Sequence, residues 1–105
     1  MTQVETQHTT VEVVGWVTRF VGGDGSGRRE YTEAFVHGVT VRQLLRRVSA
    51  RYPELDEALW DATRKELGEH IEVLVNDAVL DISHTLDSEL KPGDRITLIG
   101  QFMGG

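Results

Sequence analysis

The stretch Val39-Thr40-Val41-Arg42-Gln43-Leu44 constrains the fold more than any other. Thr40 is a helix N-cap residue and Gln43 stands three positions on, the spacing of a capping box. Val39 and Leu44 flank the pair as a hydrophobic staple. Val41, Leu44, Leu45 and Val48 then share one face at helical spacing, with Arg42, Arg46 and Arg47 off it. The helix is expected to end near Tyr52, because Pro53 disfavours helical geometry in the residue before it. A helix with one apolar face must bury that face against another layer, so the rest of the chain is read for strands.

Residues 1–10 read as a loose polar lead-in. Residues 11–21 are rich in β-branched and aromatic side chains and read as a strand. Its alternation breaks at Gly15, the mark of a bulge, and the face that carries Trp16 stays open. The Gly22-Gly23-Asp24-Gly25-Ser26-Gly27 run is a turn. Residues 29–36 are a second strand that completes a hairpin. Past the main helix, Pro53 suits the first position of a second one. Leu55, Ala58, Leu59 and Ala62 follow its apolar spacing, and Gly68 is placed to end it. Residues 71–75 form a strand, Asn76-Asp77 a turn, and residues 79–82 a short returning strand. Lys91-Pro92-Gly93-Asp94 has the type II turn signature, and residues 95–99 make the last strand. Strands, a crossover helix and a final strand able to pair parallel with the first describe an α+β roll. One domain is expected over residues 11–99, with a tail over 100–105.

Composition narrows the function. The 105 residues suit one domain, and the net charge of -6 disfavours nucleic acid as a partner while fitting a basic protein. Without cysteine there is no disulfide, no thiolate nucleophile and no cysteine-ligated zinc. No apolar run is long enough to span a membrane, and the polar start is not a secretory signal, so a cytoplasmic protein is expected.

Three stretches resemble the ubiquitin-like sulfur-carrier family, the molybdopterin-synthase small subunit and thiamine-carrier type. They are residues 39–45 with Arg51-Tyr52-Pro53-Glu54-Leu55, then Val73-Leu74-Val75-Asn76-Asp77, and residues 90–99 leading into Gly104-Gly105. Where many members carry a Pro-Pro pair before the glycines, this chain has Gly100-Gln101. The resemblance implies a β-grasp (ubiquitin-like) fold: a mixed sheet packed on one main helix. It implies that an E1-like adenylating enzyme activates the Gly105 carboxylate with ATP. A sulfide or a persulfide protein then supplies sulfur, and the resulting thiocarboxylate feeds a sulfur-accepting synthase. The carrier is then a protein substrate and sulfur donor rather than an enzyme. Two other readings stand beside it: a modifier joined through Gly105 to lysines, and a non-reactive β-grasp interaction module.

Gly104 and Gly105 suit a narrow partner channel because glycine permits close backbone approach. Gln101, Phe102 and Met103 are the expected partner contacts; Phe102 and Met103 either anchor the tail on a partner or close the core edge. Arg42, Arg46, Arg47 and Arg51 form either a solvated face or a partner grip. Glu54, Asp56 and Glu57 suit a helix start. Trp60 is an edge filler or a partner contact. His8, His37, His70 and His84 lack metal-ligand spacing, so no metal site is expected and no cofactor is expected to be bound. The glycine run is not a phosphate loop, since no Gly-Lys-Ser/Thr follows and the next element is a strand.

Overall fold

A computed structural model describes residues 6–63, 65–82 and 84–100. The elements run β1 (Thr6–Val14), a 3-10 helix (Gly15–Val21), β2 (Arg28–Val36), α1 (Val41–Ser49), α2 (Pro53–Leu59), β3 (Ile71–Val75), β4 (Ala78–Val79) and β5 (Arg95–Gly100). The strands form one mixed sheet in the order β2-β1-β5-β3-β4, with β1 and β5 parallel and the other neighbours antiparallel. This is the expected β-grasp arrangement.

The main helix starts as its residues dictate. Thr40 accepts from the Gln43 amide, and the Gln43 side chain accepts from the Thr40 amide, at 3.2 and 3.0 Å. Val41, Leu44, Leu45 and Val48 are all buried. They meet Val11, Val13, Ile71, Val73, Val75, Ile96 and Leu98 from one face of the sheet. Pro53 opens α2, and Leu55 and Leu59 join the same core.

The first strand differs from expectation at both ends. Its pairing with β2 begins at Thr6↔Val36, so the second half of the presumed lead-in is sheet. It stops at Val14 because Gly15 takes φ +71, which turns the chain out of the strand. The Gly15 amide donates to Gly27 O at 2.8 Å, and Thr18 Oγ1 donates back to Gly15 O at 2.8 Å. Residues 15–21 thus close into a 3-10 helix that buries Val17, Thr18 and Val21.

Two further boundaries are corrected. The second helix ends at Leu59 instead of running to Gly68. Asp61 Oδ1 accepts from the amide and hydroxyl of Thr63, a local bond that competes with helix continuation. Trp60 and Leu67 form an antiparallel bridge, and Gly68 N donates to Leu59 O. The return after Asn76-Asp77 is only Ala78–Val79, since Asp81 sits at φ +77 and the chain turns away there.

Two carboxylates buried in the sheet are paired. Glu12, 5% exposed, receives Arg28 at 3.0 Å and also Arg95. Glu33 receives Arg51, with Arg47 at 3.8 Å. No described helix is long and apolar enough to cross a membrane.

Candidate functional site

Gln101, Phe102, Met103, Gly104 and Gly105 lie outside the described residues. The structure describes the platform that leads to them. That platform is β5, which is flanked by β1 on one side and β3 on the other. Its last residue, Gly100, pairs with Ile71 at the start of β3. The pairing with β1 ends at Ile99, so Gly100 is held by the sheet on its β3 side alone.

The surroundings of Gly100 are apolar. Trp16 lies directly over it, and Phe20 meets Trp16 edge-on at 5.7 Å and 85°. Trp16 and Ile99 remain 39% and 40% exposed. Beside Phe20 opens a hollow of about 440 Å³, lined also by Glu54, Glu57, Ala58 and His70. A second hollow, of about 490 Å³, includes Arg42, Glu66, Leu80 and Asp87. Its Arg42 is held by Asp87 at 3.0 Å and faces Glu66 at 3.9 Å, so its charge is already matched. That contact keeps the Asp87 carboxyl below the usual carboxylate range and raises the Arg42 guanidinium.

The arginine stripe is committed to the fold itself. Besides Arg42, Arg47 and Arg51 bind Glu33, Arg47 also donates to Ala34 O, and the Arg46 guanidinium stacks 5.2 Å from the Trp60 ring centroid. Trp60 is a core residue, 5% exposed, and donates from Nε1 to Ser49 Oγ at 3.1 Å. Ser49 Oγ donates in turn to Asp56 at 2.8 Å, so the acidic start of α2 is tied to α1. The glycine loop turns inward: Gly25 N donates to Thr18 Oγ1, and Asp24 accepts from Ser26. It leads into β2, which leaves no helix N-terminus for a phosphate. Among the described residues, no group of histidines and carboxylates could hold a metal ion.

Trp16 is the residue that sequence reasoning did not place. Its place depends on the turn at Gly15 and on β5 lying beside β1, neither of which is a short-range signal.

The ThiS family model matches residues 11–105, a span that includes both terminal glycines. Solved structures of similar shape include the Amycolatopsis orientalis BexX/CysO complex, with 28% identity, TM-score 0.69, and 92% of this chain and 99% of that one covered. Urm1 from Trypanosoma brucei is 23% identical with TM-score 0.73, covering 98% of this chain and 100% of that one. SAMP1 from Haloferax volcanii is 22% identical with TM-score 0.70, covering 93% and 99%. No protein with curated annotation matches significantly. The chain belongs to the ThiS family of ubiquitin-like sulfur carriers.

Proposed function

We propose that this chain is a sulfur carrier that works through a free carboxylate on Gly105. The observation that carries this reading is the family match, which runs through Gly104-Gly105 on a β-grasp sheet whose interior strand leads toward them.

The chemistry asks little of the carrier. A carboxylate is a poor electrophile. An E1-like partner joins it to the α-phosphate of ATP and releases pyrophosphate, leaving an acyl-adenylate. Hydrosulfide attacks the acyl carbon and expels AMP, which gives the thiocarboxylate. With a persulfide protein as donor, the attack gives an acyl disulfide, and a second thiol must reduce it to release the same product. The partner supplies the acid, base and phosphate-binding groups, so the carrier needs no catalytic side chain and binds no cofactor. A cytoplasmic setting, where ATP is plentiful, fits this reaction. A sulfur-accepting synthase then consumes the thiocarboxylate.

Incubation with native-host extract, ATP and sulfide, followed by intact mass spectrometry, tests this. The expected result is a shift equal to replacing one oxygen by sulfur, located on Gly105 by fragmentation. Lysine-linked adducts without that shift point to a modifier. An unchanged mass in an extract with a competent activating enzyme points to a non-reactive interaction module.

A further inference from the structure

The parallel register of β1 and β5 runs from Thr10↔Arg95 to Val14↔Ile99, so one step further sets Gly15 beside Gly100. At Gly15 the chain leaves the sheet with φ +71, and Trp16 is laid across the end of β5. Side chains along a strand alternate, so Ile96, Leu98 and position 100 share the inward face. Ile96 and Leu98 are fully buried there. At position 100 the inward place is taken by the indole. A Cβ added to Gly100 would overlap Trp16 at Nε1, Cε2 and Cζ2, each closer than the 3.0 Å that real Cβ atoms respect. Phe20 supports the indole edge-on.

We propose that Trp16 is a positioning residue for the tail. Its indole seats the Gly100 backbone and so fixes the point from which residues 101–105 set out toward the activating partner. This rests on the sulfur-carrier reading above. Five residues reach at most about 18 Å when extended, so a partner enclosing Gly105 works close to this seat. An error at the root is carried to the carboxylate, and a displacement of about 1 Å at a reacting group can cost about 100-fold in rate. Glycine at 100 and tryptophan at 16 are then one device, since either is useful only with the other.

The test compares wild type with Trp16→Ala, Trp16→Phe, Gly100→Ala and the Trp16→Ala/Gly100→Ala double variant. The initial rate of thiocarboxylate formation is followed by mass in host extract with ATP and sulfide, below saturating carrier. Trp16→Ala and Gly100→Ala are each expected to lose about ten-fold, within the range that misplacement produces. The double variant is expected to lose no more than Trp16→Ala alone, because both changes act through the same contact. Trp16→Phe is expected to recover part of the rate. Wild-type rate in Trp16→Ala, or multiplying losses in the double variant, overturns the proposal. Backbone amide relaxation at Gly100 reads the seat without any reaction, on ps–ns motions. It is expected to be rigid in wild type and looser in Trp16→Ala, and equal rigidity in both overturns the proposal. If wild type forms no thiocarboxylate, the carrier reading fails, and the relaxation comparison still decides whether Trp16 holds the root.

Discussion

Asp94 ties two turns to the sheet with its side chain and its carbonyl. Oδ1 accepts from Asn76 Nδ2 at 2.9 Å and Oδ2 from Lys91 N at 2.8 Å. Its carbonyl accepts from the Thr10 amide and the Thr9 hydroxyl. The residue is 7% exposed. Asp94→Ala removes the side-chain acceptor of two part-buried bonds and is expected to cost about 1–2 kcal/mol, seen as a lower urea midpoint at unchanged slope. Asp94→Asn keeps one acceptor and is expected to lose less. The turn itself is legible from Pro92-Gly93, with Gly93 at φ +83, but the bonds to Thr9, Thr10 and Asn76 are not, because they join positions far apart in the chain. Asp87 makes a different prediction. Arg42 lowers its folded pKa, so this contact stabilises above the ordinary carboxylate range and fades as pH falls through the folded value. Asp87→Asn is therefore expected to flatten the stability–pH curve below about pH 4, measured by denaturant titrations at successive pH values. The Asp87 side chain is largely exposed, so the change is small.

At the level of elements, α1 is set by short-range chemistry and its neighbours by long-range chemistry. Thr40→Ala removes the acceptor for the Gln43 amide and is expected to destabilise by about 1 kcal/mol, with Thr40→Ser near wild type in thermal unfolding. Everything that defines this helix start lies within six consecutive residues, which is why the sequence alone locates it. The type II turn and the β3–β4 turn are legible for the same reason: Asn76 and Asp77 both adopt positive φ locally. The misread segments depend on distant partners. Residues 16–21 have strand-like composition, yet the Gly15–Gly27 bond and burial of Val17 and Val21 make them a 3-10 helix. Residues 60–67 keep helical spacing, yet Trp60 is claimed by Ser49 and by its bridge to Leu67. Propensity is a weak prior where tertiary contacts compete with it.

At the scale of the whole molecule, the proposed chemistry lies beyond the core that the described residues build. The buried apolar core draws on residues from Val11 to Leu98, while the proposed reacting group is on Gly105. The proposed glycine pair is read from its placement after a turn and a strand, whereas the seat under Trp16 appears only once β1 and β5 are side by side. The separation predicts what removal of Gly105 does. The core of described residues loses no member, so unfolding free energy is expected to change by less than about 0.5 kcal/mol, the usual bound for surface changes. The thiocarboxylate signal is expected to vanish, because the new end carries its carboxylate one residue, at most about 3.6 Å, short of the position the partner encloses. Thermal unfolding and intact mass on the same samples separate the outcomes. A folded but unreactive truncation supports a carrier whose domain is a handle for its tail. A truncation that unfolds makes the tail structural, and one that still gains sulfur moves the reacting group away from Gly105.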